Sequence, residues 1–249
     1  MKDKETLQLP VPMINIVENS QCKYLSFEFR EKIPGFLCLT TLRKKGNPPA
    51  KIIDIEKSLS LAPGRIAGIK QVHSDKILEI PSDGNPNKPL AEADGIIIKT
   101  AGMSGIIRTA DCVPVILVHP ESKMTALVHA GWKGTCSGIT RKAALRILEL
   151  TSGSPEEIKV FAGPCIHSCC YEVGTEVVKA FEQAGHDLDL LMDGKNLDLV
   201  KANLSQAVAL GITDISSSGF CTACNPELFY SYRRDKTADR MLTMAGFIS

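Results

Sequence analysis

Between residues 93 and 131 the chain carries four short apolar runs with little room between them: "ADGIIIKT" (93–100), "SGIIRT" (104–109), "VPVILVHP" (113–120) and "MTALVHAG" (124–131). Runs this short and this rich in β-branched residues, closely punctuated, predict strands of one buried sheet. The short turn "HPESK" (119–123) predicts that the last two pair as an antiparallel hairpin. Upstream, "RIAGIKQVHS" (65–74) alternates towards a further strand and "DIEKSLSLA" (54–62) suits a short helix. "KKGNPPAK" (44–51) and "PSDGNPNKPL" (81–90) are polar Pro/Gly loops.

After residue 131 the periodicity changes. "GITRKAALRILEL" places Ile139, Ala143, Ile147 and Leu150 at helical spacing; Gly153 suits the position past its end, and Ser154-Pro155 restarts the chain. "EIKVFAGP" and "ITDISSS" predict strands. "GTEVVKAFEQAG", closed by Gly185, and "NLDLVKANLSQAVALG", with Leu197, Val200, Leu204 and Val208 on one face and Gly211 at its end, predict helices. Strands and helices mix without strict βαβ alternation. The expected class is α+β, mixed β-sheet layers covered by helices, with residues 1–249 as a single domain.

Composition excludes several function classes. Hydrophobic residues make up 44% and charged residues 23% of 249, the balance of an ordinary globular protein. A formal charge of +1 implies no general attraction to nucleic acid or anionic membrane. No apolar run approaches the roughly 20 residues of a membrane helix, and "MKDKETLQLP" lacks the apolar segment of a signal peptide. A cytoplasmic location is expected. The nine cysteines, an odd number, then read as thiols or metal ligands rather than a disulfide frame.

Three of the scarce chemistry-bearing residues fall at predicted strand ends. His73 closes "IKQVH", Cys112 sits in "TADCVPV", and His129 closes "ALVH", ahead of a glycine-bracketed turn holding the only tryptophan, Trp132. Imidazole and thiolate are zinc ligands, and three protein ligands leave a fourth position open. Separations of 39 and 17 residues require the fold to assemble such a site. Each residue alone also suits plain packing. A second set, "CTAC" (221–224) with "CIHSCC" (165–170), suits either a closed structural zinc site or reduced cysteines near a turn. Asp111 suits a proton-handling group or a turn residue bonded to its own backbone. Arg233 and Arg234 in "SYRRD" suit a phosphate clamp or a solvated basic loop. GxGxxG, Walker and GxSxG motifs are absent from the sequence.

Taken in order, "QVHSDKI", "EADGIIIKT", "TADCVPVILVHP", "VHAGWKGT", "GPCIHSCCYEVGTEV" and "SYRRD" resemble the laccase-domain family over about residues 66 to 240. Members were first labelled polyphenol oxidases. They are now described as zinc-dependent purine nucleoside phosphorylases acting on adenosine, inosine and methylthioadenosine, with adenosine deaminase side activity. The resemblance implies a metal, zinc or copper, on His73, Cys112 and His129, with Asp111 and Cys112 as catalytic candidates. It implies nucleoside and phosphate as partners, with Arg233 and Arg234 as phosphate contacts, and a monomer or weak homo-oligomer. The glycines of "HAGWKG" would let the backbone pass close to the pocket, with Trp132 packed behind His129. The chain departs from the family where "LTTLRKKGNPPAK" (39–51) lacks a Gly-Gly pair, which bears on Arg43, and where Lys133 and "KTADR" replace a common arginine and glycine.

Two other readings stay open. A hydrolase or amidase, as in a peptidoglycan-editing relative, would use Cys112 as nucleophile with His129 or His73 as base. A metal-stabilised binding module would bind without turnover. Multicopper oxidase chemistry asks for a larger imidazole supply than five scattered histidines with no HxH pair.

Overall fold

The computed structural model describes residues 9–29, 31–44, 48–80 and 91–248. The loop expected at 81–90 lies outside these, as do 45–47 of the loop at 44–51. Three strands open the chain: β1 (Met13–Glu18), β2 (Lys23–Glu28) and β3 (Phe36–Thr41). Helix α1 (Ile52–Ser58) and strands β4 (Ile66–Gly68), β5 (Ile77–Ile80) and β6 (Gly95–Ile98) follow. Next come β7 (Met103–Thr109), β8 (Val113–His119) and β9 (Met124–Ala130), then α2 (Trp132–Cys136) and α3 (Ile139–Thr151). The remainder holds β10 (Lys159–Ala162), α4 (Thr175–Gln183), α5 (Leu188–Leu191), β11 (Met192–Asp193), β12 (Asn196–Leu197) and α6 (Leu199–Val208). It ends with β13 (Asp214–Ser217), α7 (Tyr232–Asp235) and β14 (Met241–Phe247).

The α+β class holds, but the expectation of one sheet does not. Among the described residues there are two six-stranded mixed sheets, in the orders β1-β2-β3-β14-β7-β4 and β13-β10-β8-β9-β6-β5. The run "SGIIRT" leaves its sequence neighbours and pairs with β14 and β4 in the first sheet, while β6, β8 and β9 build the second. The sheets share a core: Leu25, Phe27, Met103 and Ile107 of the first pack with Ile96, Ile116, Leu127 and Phe161 of the second. On its other face the second sheet is covered by α3, α4 and α6, through Ile139, Ala143, Ile147, Val177, Phe181 and Leu204. Strands buried on both faces carry continuous apolar runs, which do not say which sheet a strand joins.

The hairpin is as expected. β8 and β9 pair antiparallel from Val113↔Ala130 to His119↔Met124, and every residue of both strands is buried. Each buried Val, Leu or Ile there contributes roughly 1.5–3 kcal/mol of transfer free energy. Three local expectations need correction. Residues 71–74 leave the strand after Gly68, so His73 sits in a bend rather than at a strand end. The left-handed residue closing α3 is Ser152 (φ 52°), one position before Gly153. Trp132 opens a helix rather than a turn. That helix is pinned by fully buried Asn203 of α6, whose Nδ2 donates to Thr135 Oγ1 (2.9 Å) and whose Oδ1 accepts from Thr140 Oγ1 (2.7 Å). Among the described residues no helix is long and apolar enough to cross a membrane.

Candidate functional site

The hairpin register places Cys112, just before β8, beside His129 near the end of β9. His73 arrives from the bend after β4. Its Nε2 lies 4.0 Å from Cys112 Sγ, and its ring meets that of His129 edge-on, centroids 4.9 Å apart. One donor atom from each of His73, Cys112 and His129 falls within 4.8 Å of the other two, a set that could hold a metal ion. The extended backbone of Gly131, just before α2, passes close to this group. A Cβ there would lie 3.0 Å from Cys112 Sγ and 3.2 Å from His73 Cδ2, tighter than ordinary contact, so the glycine lets the backbone pass close to the site, as the sequence reading expected. Trp132 lines the cavity and also packs against the core cluster that contains Val128 and Ala130.

The residue that organises the group is one the sequence reading passed over. Asp94, fully buried at the start of β6, accepts His129 Nδ1 on Oδ1 at 2.8 Å. It also accepts the N–H groups of Val72 (3.2 Å), His73 (3.0 Å) and Ser74 (2.6 Å) and the Ser74 hydroxyl (2.8 Å). One carboxylate therefore orients one histidine and fixes the bend presenting the other. His73 takes a left-handed conformation (φ 60°), which costs free energy and persists where neighbours over-determine it. Burial alone would raise the Asp94 carboxyl; the bonds from His129, Ser74 and Val72 overcome it and hold the group well below the usual carboxylate range. The available signal was a carboxylate inside the apolar stretch "EADGIII", where a buried charge needs partners.

Binding Asp94 through Nδ1 leaves Nε2 as the second nitrogen of His129. Burial disfavours the imidazolium, yet Asp94 and Cys112 raise His129 to about 9. Burial likewise raises the Cys112 thiol, but hydrogen bonds and charge from His129 and His73 bring it down to about 6. Both shifts favour the thiolate and imidazolium in the metal-free pair, and the thiolate is the form of sulfur that ligates metals and attacks electrophiles.

The group opens onto a cavity of about 950 Å³. Tyr171, Trp132 and Tyr232 supply aromatic faces, and Lys70, Arg108, Arg233, Lys236 and Arg240 supply cations. Lys70 is paired with Glu92 at 2.8 Å. The Arg108 guanidinium, absent from the sequence reading, has no partner among the described residues.

The other sequence candidates divide. Asp111 lines the cavity in a left-handed conformation (φ 93°), with Oδ1 accepting the Thr222 hydroxyl and Oδ2 the Arg233 N–H, each at 2.6 Å. Arg233 lies over the Tyr171 ring at 5.0 Å, donates to the Glu172 carbonyl at 2.8 Å, and lines the cavity. Arg234 points away: it donates to the carbonyls of Thr222, Ala223 and Phe229 and pairs with Asp235 at 2.6 Å. Arg43, over Tyr230 and bonded to the Pro226 carbonyl, is outside the cavity lining.

Residues 50–248 match the family described as multi-copper polyphenol oxidoreductase laccase, and the chain belongs to that family. A purine nucleoside phosphorylase of Clostridium acetobutylicum is 38% identical over 179 residues, covering 70% of this chain and 74% of its own. One from Aquifex aeolicus is 37% identical over 174 residues, covering 70% and 78%. YlmD of Geobacillus stearothermophilus superposes with a TM-score of 0.80 at 26% identity, over 95% of this chain and all of its own. YfiH of Bacillus licheniformis superposes at 0.82 and 23% identity, over 93% and 98%, and shares the fold.

Proposed function

We propose that this protein is a metal-dependent purine nucleoside phosphorylase, zinc being the metal that suits the donor set, with adenosine deamination as a side activity. The observation that carries this is the convergence of His73, Cys112 and His129 on a cavity ringed by aromatic faces and cations. The donors fit a borderline-soft ion: two imidazoles, one already oriented through its far nitrogen by a carboxylate, and a thiol inclined to ionise. The names of similar proteins supply the substrate class. When bound, the metal would supply Lewis acidity at the cavity floor.

The rest falls to side chains. In phosphorolysis a phosphate oxygen bonds to ribose C1′ as the C1′–N9 bond breaks, and its electron pair leaves with the purine, which takes up a proton. The sugar becomes cation-like on the way, so the site must place an anion accurately. Arg108 and Arg233 offer guanidinium forks to phosphate. Tyr171 and Trp132 offer faces to the base. Asp111, held by Thr222 and the Arg233 amide, keeps further acceptor capacity for the migrating proton.

A second reading has its own observation. Asp94 holds His129 at 2.8 Å, and a His129 donor atom lies within 4.8 Å of the Cys112 sulfur, an order of orienter, base and nucleophile that suits a thiol hydrolase. One experiment separates the readings. Metal-analysed protein is incubated with adenosine, with and without phosphate, before and after chelation. Adenine appearing only with phosphate, and lost on chelation, supports the phosphorylase. Inosine without phosphate supports the side activity. No turnover of any purine nucleoside by the loaded protein overturns the proposal, and amide hydrolysis surviving chelation favours the thiol hydrolase.

A further inference from the structure

The cysteines of "CIHSCC" and "CTAC" line no part of the cavity, yet the fold brings four of them to one point. Cys169 and Cys170 lie on the turn after β10, and Cys221 and Cys224 on the turn after β13. Their four Sγ atoms all fall within 4.8 Å of one another. Cys170 is 3.4 Å from Cys224, Cys169 is 3.6 Å from Cys224, and Cys169 is 3.8 Å from Cys170. With zinc–sulfur bonds of about 2.3 Å, the sulfur–sulfur edge of a tetrahedral site is about 3.8 Å. The three separations among Cys169, Cys170 and Cys224 match that edge, and the Cys221 sulfur lies within 4.8 Å of each. Cys165, buried beside Cys221 through a backbone bridge, and His167 stay outside the group.

We propose that Cys169, Cys170, Cys221 and Cys224 form a second metal site, a closed tetrathiolate centre for one zinc ion that ties the loop after β10 to the loop after β13. Four thiolates leave no position for substrate, so the centre is structural. An iron–sulfur cluster would interpose iron and sulfide between its cysteines and spread them wider than this. Each thiol releases its proton to solvent on binding, leaving the zinc tetrathiolate with two negative charges. A group that favours such a charge is in place. The Arg234 guanidinium grips the carbonyls of Thr222 and Ala223, the two residues between the paired cysteines. Second-layer bonds of this kind orient ligands and tune a metal.

The position gives the centre a role. Tyr171 follows Cys170 and lines the cavity, and Thr222 follows Cys221 and bonds Asp111. A metal closing the four thiols holds both cavity walls from behind, and this stands whatever the cavity's substrate.

The test uses full-length, fully reduced Cys112→Ser protein, so that the cavity site has lost its sulfur, and no nucleoside. Thiols reactive towards an aromatic disulfide are counted before and after adding zinc, and again after chelation. Four thiols protected by zinc and released by chelator are expected, with one ion bound per chain. The cobalt-loaded protein should give the strong sulfur-to-cobalt bands of a tetrahedral tetrathiolate, lost in the Cys170→Ser/Cys224→Ser variant. If Cys112→Ser does not fold, the same count on the unaltered chain gives five protected thiols where the cavity site alone gives one. Protection of no thiol beyond Cys112, or isolation with an iron–sulfur chromophore, overturns the proposal.

Discussion

Two clusters able to hold a metal meet through Asp111, which precedes Cys112 and accepts the hydroxyl of Thr222 beside Cys221, and they are built differently. The cavity group takes its donors from three distant stretches, around 73, 112 and 129, and leans on the buried Asp94 for two of them. The thiol group takes four donors from two turns, and Arg234 holds the carbonyls of Thr222 and Ala223 between two of them. The first opens onto a cavity of about 950 Å³; the second faces solvent at Cys169 and Cys224. Three donors facing a cavity suit chemistry, and four donors closed on themselves suit a strap. If so, damage to the first should abolish turnover in a folded protein, whereas damage to the second should loosen the fold and lower turnover only in consequence.

The largest effect is expected at Cys112. Cys112→Ala should lower turnover beyond the roughly 100-fold that loss of a supporting residue costs, with little change in melting temperature. A variant that still cleaves adenosine at the original rate would remove the cavity group from the chemistry. Asp94→Asn comes next. It keeps one acceptor oxygen but loses the charge that five donors share. Zinc affinity or turnover should fall roughly 10- to 100-fold. Losing charge-assisted bonds worth about 1.5–3 kcal/mol each should also lower the melting temperature by several degrees. Unchanged zinc affinity would demote Asp94 to a packing role. Gly131→Ala should follow at about tenfold in turnover, because its Cβ pushes Cys112 and His73 aside by a few tenths of an ångström. A fully active variant would mean that Cys112 and His73 yield freely.

How much of this was legible depended on the kind of signal. The hairpin was plain, since two short apolar runs flank a turn too short for anything else. His73, Cys112 and His129 were visible as scarce residue types beside turns, and the family motifs raised them above their neighbours. Sheet membership was not visible: "SGIIRT" and "VPVILVHP" look alike, and only tertiary packing sends them to different sheets. Asp94 was hidden because its importance lies in its partners, which come from 72–74 and 129. Arg108 was hidden because an exposed arginine on a strand has no local pattern that distinguishes it. The cysteine pairs were visible as motifs, but their convergence needed the turns after β10 and β13 to meet.

The ionisation of Cys112 gives a milder probe. Only the thiolate is alkylated, and Cys112 is drawn from 9.0 down to about 6 by His129 and His73. In metal-free protein its alkylation rate should therefore rise as pH climbs through about 6 and level off below pH 8. Zinc should suppress it throughout. A midpoint near 9 would show that the histidines do not support the thiolate. The same sign predicts tighter zinc binding with rising pH, because the metal displaces the proton from His129, whose imidazolium persists to about 9.

The smallest effects, and the sharpest contrast, belong to two adjacent arginines. Arg233 and Arg234 are neighbours on α7, and neighbours on a helix do not share a face. Arg233 lies over Tyr171 in the cavity, so Arg233→Ala should raise the KM for phosphate about fivefold and leave the melting temperature nearly unchanged. Arg234 is spent on the carbonyls of Thr222, Ala223 and Phe229. Arg234→Ala should leave the phosphate KM alone, lower the melting temperature by a few degrees, and weaken zinc protection of Cys221 and Cys224. The reverse assignment, with Arg234 governing phosphate and Arg233 governing stability, would put the anion site on the thiol side of Asp111. Equal effects at both positions would mean that α7 moves as one piece and that the two clusters are mechanically joined through it.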